Sequence, residues 1–229
     1  MQTDLTQFQP APHPSDIQLH GTGVGLVPLS APSHGAQLFE SNTNADNWTY
    51  LPYGPFPDKA LYLEWLTEQS QKQDPCFFTV VRHADQRAIG LASFLRIDPA
   101  NGVIEIGHLN FSPCLQQTRE STEALFLMMH WAFAAGYRRV EWKCNALNRP
   151  SRRAAQRLGF SYEGTFRQAA IHKGKNRDTA WFALIDREWP AIKACFEAYL
   201  ASENFDDNGR ATFSLSAMTR PLLFALDND

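Results

Sequence analysis

Residues 103–160 read VIEIGHLNFSPCLQQTRESTEALFLMMHWAFAAGYRRVEWKCNALNRPSRRAAQRLGF, and their order decides the fold. VIEIGHLNF is strand-like. Thr118 or Ser121 can begin a helix whose apolar residues Leu125, Phe126, Met129, Ala132 and Phe133 share one face, and Gly136 stops it. RRVEWKCNA reads as a second strand, and Asn148 or Ser151 caps a short helix that Gly159 closes. A right-handed crossover through the long helix makes the two strands parallel neighbours. One helix N-terminus, with its unpaired backbone N–H groups, therefore lies beside the ends of two strands. That layout suits a nucleotide-bearing ligand with a long flexible arm: phosphates at the helix start, the arm between the strands.

Outward from this stretch, CFFTVVRH, QRAIGLASFLRID and GVIEIGHLNF form an antiparallel meander, with ADQR and PANG as turns. IQLHGTGVGLVPL reads as a first strand. Its Gly21, Gly23 and Gly25 imitate part of a dinucleotide fingerprint, but Val-Pro-Leu cannot open the helix such a site requires. Ser33–Ser41 can form a short helix, NADNWTYLPYGPFP is an aromatic loop, and DKALYLEWLTEQSQK is a helix begun by Asp58. FSYEGTFRQAAIHKGKNRDTAWFALID is a hairpin turning at KGKN, and EWPAIKACFEAYLAS is a last helix. The expected class is α/β (α+β): a mixed, mostly antiparallel sheet flanked by helices, with a parallel, splayed strand pair at the cleft. Residues 1–17 are expected to be an arm of little fixed structure, 18–201 one domain, and 202–229 a C-terminal extension apolar enough to pack against something.

With 229 residues, 44% hydrophobic and 20% charged, the chain is long enough for one substantial core. A net charge of −3 gives no general pull toward nucleic acid or anionic membrane. The N-terminus shows no signal-peptide pattern, and no apolar run approaches the roughly 18 residues of a membrane helix. Cys76, Cys114, Cys144 and Cys195 lack metal-ligand or disulfide spacing, so a cytoplasmic protein with reduced thiols and no metal is expected. A homodimer is compatible with all of this.

EIGHLNFSPCLQQTRESTEAL, ALNRPSRRAAQRLGF and GTFRQAAIHKGKNRDTAWFALID together resemble the GCN5-related N-acetyltransferases, especially their ribosomal-protein and small-amine branch. The resemblance covers roughly residues 20–200. It implies acetyl-CoA as cofactor and direct acetyl transfer to a primary amine of a small molecule or a protein N-terminus. The cofactor's diphosphate would lie at Gln116, Gln117, Thr118, Arg119, Glu120, Ser121 and Thr122, and its arm along Asn110, Phe111 and Ser112. Asn148 and Arg152 would join the cofactor residues, and Ser151, the serine of the family's Asn-x-x-Ser motif, would lie close to the cofactor sulfur. The family's phosphate loop carries a glycine where Arg119 stands; a guanidinium there can meet phosphate directly, aided by the hydroxyls of Thr118, Ser121 and Thr122. A tyrosine that many relatives carry one turn before Leu-Gly-Phe is replaced by Ala155.

Amine acetylation needs a base for the amine's proton, a donor to the thioester carbonyl and a proton for the thiolate. Glu105, a lone acid in an apolar strand, is the candidate base; a structural acid pairing with Arg139 is the alternative. Strand alternation puts His108 on the opposite face from Glu105 unless a bulge intervenes. Ser151 is the candidate proton donor, with helix capping as its alternative role. A backbone N–H near residues 110–112 would polarise the carbonyl. Cys144 reads as a small buried residue rather than an acyl carrier. The same resemblance implies that Trp48, Tyr53, Trp142 and Trp181 wall the acceptor pocket. Eight bases between Arg149 and Arg177 stand against the single acid Glu163. A coenzyme-A-binding sensor or assembly module without turnover is the competing reading, motivated by Arg119.

Overall fold

The structure, a computed structural model, describes residues 4–227. Its sheet has eight strands: β1 (Leu19–His20), β2 (Val24–Pro28), β3 (Cys76–Arg82), β4 (Arg87–Asp98), β5 (Val103–Phe111), β6 (Arg139–Asn145), β7 (Ser161–His172) and β8 (Lys175–Ile185). Their spatial order is β1-β2-β3-β4-β5-β6-β8-β7, and every neighbouring pair is antiparallel except β5–β6. The parallel pair follows from the crossover helix α3 (Arg119–Ala134), which Thr118 caps and Gly136, at φ +95°, releases.

Side chains alternate along the strands, and the two faces meet different partners. Phe78, Phe94, Ile104, Val140, Trp142 and Phe182 face α3, α4 (Arg149–Arg157) and α5 (Trp189–Leu200) in the larger core. On the other face, Phe77 and Leu91 pack with Tyr62 of α2 (Lys59–Ser70), Leu38 of α1 (Ala31–Ser41) and Trp48 of the loop between them. The glycine run makes the β1–β2 turn. The Glu123 carboxylate on α3 accepts the N–H groups of Thr22, Gly23 and Val24 at 2.6, 2.8 and 3.1 Å, and a Cβ on Gly21 would lie 2.7 Å from it. These glycines let a helix carboxylate approach the backbone, which accounts for them without a nucleotide.

Both ends of the chain are more engaged than their composition predicts. Met1–Thr3 lie outside the described residues, but the rest of the arm reaches the β4–β5 turn and neighbouring strand ends, where Ala11 N–H donates to the Pro99 carbonyl. Ala11 is buried, and the Pro12 carbonyl accepts the Tyr137 hydroxyl at 3.0 Å. The extension forms α6 (Leu215–Thr219), whose Leu215 enters the main core, and then crosses the start of β7. There Tyr162 N–H donates to the Ala225 carbonyl, and Phe224 N–H to Ser161 Oγ. Asn228 and Asp229 lie outside the described residues.

Candidate active site

β5 and β6 are paired only at Val103–Arg139, Ile104–Val140 and Glu105–Glu141, and then part. The cause is local. β5 carries one residue more than β4 between Gly107 and Asn110, where the register shifts opposite Leu91 and Ser93, and His108 sits at φ +51°. The bulge bends β5, which stays with β4. β6 meanwhile stays in unbroken register with β8 from Arg139 to Asn145. Beyond Glu105 the two facing edges therefore have no ladder partners in each other. Ser112 N–H donates to the Ile89 carbonyl on the β4 side, so alternation turns the Phe111 N–H toward the gap. Asn110, 2% exposed, has a side-chain Nδ2 with no partner.

The start of α3 supplies the amide-rich opening. Among the described residues the N–H groups of Gln117, Thr118, Arg119 and Glu120 make no hydrogen bond, as expected of a first helical turn. The expected hydroxyl contacts to phosphate change here. Thr118 Oγ1 donates to the Leu115 carbonyl (2.7 Å) and accepts Ser121 N–H (3.1 Å), while the Ser121 and Thr122 hydroxyls donate to the Thr118 carbonyl. These side chains shape the turn and leave the backbone N–H groups to face an anion. Gln116 Nε2 donates to the Phe111 carbonyl at 2.8 Å and fixes the end of β5. Arg119 is tied back: its guanidinium donates to the Leu200 carbonyl and lies 4.6 Å from the Phe205 ring, so it is not held over the opening. Glu120 is an acid of that first turn.

Glu105 is the last paired residue before the gap and is 3% exposed. Its carboxylate meets Arg96 at 2.7 Å and Lys143 at 3.0 Å rather than Arg139, the partner of the alternative structural reading. Arg139 instead pairs with Glu141 and Glu163 at 2.8 and 2.6 Å, and Lys143 also reaches Glu141 at 2.6 Å. Burial raises the Glu105 pKa above the ordinary carboxylate value despite the pull of Arg96 and Lys143. For Glu141 burial also acts upward, but Lys143 and Arg139 outweigh it and its pKa falls.

The bulge also overturns simple alternation, since it brings His108 to the Glu105 face. Its ring stacks on Phe77 (centroids 5.2 Å apart) and approaches Tyr53 (5.8 Å), and Nδ1 lies 3.0 Å from Ser93 Oγ. Burial, reinforced by Arg96, pushes the His108 pKa down to about 4.

At the end of β6, Ser151 Oγ accepts the Trp142 indole N–H at 3.0 Å and also bonds Cys144. Accepting from the indole strengthens the hydroxyl as a donor. Asn148 caps α4 through Oδ1, which accepts Ser151 N–H at 3.2 Å. Cys144 is buried, and burial raises its pKa. Two residues assigned from the sequence are re-placed. Trp142 belongs to the core facing α3 and packs on Phe160, because alternation turns it away from Glu141 and Lys143. Arg152 is buried: it holds the Asp227 carboxylate of the C-terminal tail (Nε to Oδ2, 2.6 Å) and donates to the Ala146 carbonyl at 3.0 Å.

The aromatic loop is a roof rather than a row of pocket walls. Trp48, 4% exposed, is its interior, packed on Tyr53, Phe56 and Tyr62. The hairpin tip pins it: Lys173 Nζ donates to the Trp48 and Gly54 carbonyls, and His172 Nε2 lies 3.0 Å from the Leu51 carbonyl. Tyr53 lies between this roof and His108. Trp181, half-buried, has its ring 3.7 Å from Lys143 Nζ and an indole N–H without a partner. Arg177 Nε is likewise unpartnered, and nothing in the sequence distinguishes it from the other bases of its cluster.

A model described as the acetyltransferase (GNAT) domain matches residues 24–161, and the chain belongs to that family. A GCN5-related N-acetyltransferase from Brucella melitensis is 43% identical with a TM-score of 0.92, over 94% of this chain and 99% of that one. A probable GNAT-family acetyltransferase from Chromobacterium violaceum ATCC 12472 is 42% identical with a TM-score of 0.79, over 83% and 97%. The ribosomal-protein-serine acetyltransferase of Escherichia coli (strain K12) is 33% identical over 101 residues, 44% of this chain and 56% of that protein. The protein is thus a GNAT-type N-acetyltransferase, and acetyl-CoA is the donor of its family. The parted strand edges, the unpartnered Asn110 amide and the free N–H groups before α3 fit that cofactor's amide arm and phosphates. No helix among the described residues is long and apolar enough to cross a membrane.

Proposed function

We propose that the protein transfers acetyl directly from acetyl-CoA to a primary amine of a small molecule or a protein N-terminus, with both substrates bound together. The observation that carries this reading is the position of Glu105: a buried carboxylate at the vertex where β5 and β6 part, with its pKa raised. Bound acetyl-CoA supplies the activated acetyl group. Gln117, Thr118, Arg119 and Glu120 hold its phosphates through backbone N–H groups, while Asn110 and Asn148 offer side-chain amides to its arm. The Phe111 N–H, facing the gap, is the donor for the carbonyl.

Glu105 takes the proton of the incoming amine, directly or through one water. The neighbouring ammonium of Lys143 and guanidinium of Arg96 keep the deprotonated carboxylate within reach of neutral pH. Ser151, whose oxygen accepts from Trp142, donates its hydroxyl proton to the departing sulfur. The serine is reprotonated from solvent, to which Glu105 returns the amine's proton, so that free thiol and acetylated amine leave and both side chains are restored. His108 stays neutral across the working range, because its pKa lies near 4, and serves as a packed wall beneath Tyr53. Four free cysteines accord with a reducing, cytoplasmic setting.

The test is thiol release from acetyl-CoA with a panel of primary amines and N-terminal peptides, alongside direct measurement of coenzyme A affinity. Acceptor-dependent thiol is expected. Tight cofactor binding with no acceptor-dependent thiol from any amine would leave the chain a binding module and sink the reading.

A further inference from the structure

The charged side chains on the Glu105 face form an alternating chain: Arg96, Glu105, Lys143, Glu141, Arg139, Glu163. Three cations and three anions in contact leave this row balanced. Arg177 stands outside it. It lies on β8 on the same face as Trp181, four residues away, and is close enough to act electrostatically on Cys144, Arg96 and Glu105. Its field also reaches His108. Among the described residues it has no hydrogen bond or ion pair, and its Nε is buried without a partner. Its neighbour Asp178 is engaged in the hairpin, accepting Gln168 N–H at 2.7 Å and the Asn176 amide at 3.0 Å. The Trp181 N–H, above Lys143, is a second buried donor without an acceptor. A half-buried guanidinium with no ion pair or hydrogen bond of its own is costly unless an anion completes it.

Other unpartnered donors are accounted for differently. Asn110 lies on the parted edge of β5, where the cofactor arm fits. The Tyr53 and Tyr62 hydroxyls lie within the aromatic roof rather than on β8. His34 Nδ1 and Thr79 Oγ1 are also without partners among the described residues, but neither lies on β8. Arg177 and Trp181 do, beside the point where Glu105 would meet the amine.

We propose that Arg177 and the Trp181 indole N–H recognise a negatively charged group, carboxylate or phosphate, on the acceptor, so that the substrate is an anionic primary amine. This rests on the acetyl-transfer reading above. Arg177 offers a planar fork of donors suited to both oxyanions, and Trp181 adds a single neutral donor that fixes orientation. The anion anchors the acceptor on β8 while its amine turns toward Glu105. An acceptor carrying only positive charge gains nothing from this site.

The test uses matched amines: an α-amino acid against its amide, and an aminoalkyl phosphate against the parent amino alcohol. The wild-type enzyme is expected to favour one anionic member by at least about tenfold in kcat/KM, and which pair shows it tells carboxylate from phosphate. Arg177→Gln should raise KM for that anionic amine roughly 10- to 100-fold with kcat little changed, the scale of a charge-assisted hydrogen bond. Arg177→Lys should recover part of the loss, and the neutral partner should be indifferent to both changes. Equal use of charged and neutral amines by the wild type would overturn the inference while leaving acetyl transfer intact. So would a rise in coenzyme A Kd matching the rise in acceptor KM, because Arg177 would then serve the cofactor. If no amine is turned over, binding of inorganic phosphate and of acetate to the coenzyme A complex, followed by calorimetry, still decides. Arg177-dependent binding of either supports the anion site, and no such binding overturns it.

Discussion

Along β6, Val140, Trp142 and Cys144 point to one side of the sheet and Glu141 and Lys143 to the other. The first set is closed in by α3, α4 and α5 among Phe94, Phe160 and Phe182, with the one polar atom of Trp142 satisfied by Ser151. The second set carries a row of paired charges, a bulged histidine and unpartnered donors. One strand thus separates two jobs by its pleat: one side supplies apolar burial, and the other holds groups whose protonation and orientation matter. Substitutions on the two sides should therefore fail in different ways.

The largest expected effect is on the charged side. Glu105→Gln keeps the shape but cannot take a proton, and a positioned general base contributes on the order of 10²–10⁴ in rate. We expect kcat/KM to fall by that range with coenzyme A affinity nearly intact. The wild-type rate should rise with pH through the Glu105 pKa, which burial holds above the ordinary 4.5, and that limb should vanish in the variant. An unchanged rate and profile would remove Glu105 from the chemistry and reduce the charged row to architecture.

The apolar side is tested by Phe182→Ala. Phe182 is fully buried against Tyr162 in the main core, and such truncations cost about 3–5 kcal/mol. Chemical denaturation should show this loss, while activity per folded molecule should stay within roughly threefold of wild type because nothing on the Glu105 face is touched. Loss of activity at unchanged stability would show that the two sides are coupled.

Much of this division could be read from the sequence, and the parts that could not have physical reasons. The meander, crossover helix, closing hairpin and caps at Asp58, Thr118 and Asn148 are local signals, set by periodicity, capping chemistry and glycine. Alternation leaves the face of His108 open to a bulge; the structure has that bulge, one extra residue in β5 inverting the pleat, and no composition marks a bulge whose φ +51° position is a histidine. Trp142 could have been placed by alternation from Glu141. Arg152 and Arg177 sit in one basic stretch, but only tertiary contacts show that the first meets Asp227, 75 residues on, while the second meets no partner. The hydroxyls of Thr118, Ser121 and Thr122 were assigned outward on residue type, whereas the helix's first turn draws them to its own backbone.

His108 sharpens the comparison because it is a titratable group packed like an apolar one. Its pKa falls from 6.5 to about 4, so below 6.5 the unfolded chain binds a proton that the folded chain refuses. The stabilising effect is therefore complete above about pH 6.5 and is lost as pH falls through 4. Between about pH 7 and 4.5 this single group should cost roughly 2–3 kcal/mol of stability, and denaturation of His108→Gln should show that much less acid sensitivity. The kinetic counterpart is the lack of a His108 inflection near 6.5. Such an inflection, surviving in Glu105→Gln, would make the histidine the base and move the chemistry one residue pair along β5.

The smallest effect concerns where the α3 opening belongs in this division. Thr118 caps the helix through Ser121 N–H and donates to Leu115, so its hydroxyl is structural while the adjacent backbone N–H groups face the cofactor. Thr118→Ala should cost about 1 kcal/mol of stability, the ordinary value of an N-cap. Any effect on coenzyme A affinity then arises from fraying of the first turn and should stay below about fivefold, the factor corresponding to that energy. Thr118→Ser, which keeps the cap, should restore both. A rise in Kd of more than about tenfold in Thr118→Ala, with thermal stability unchanged, would mean the hydroxyl itself binds phosphate and the backbone N–H groups do not suffice.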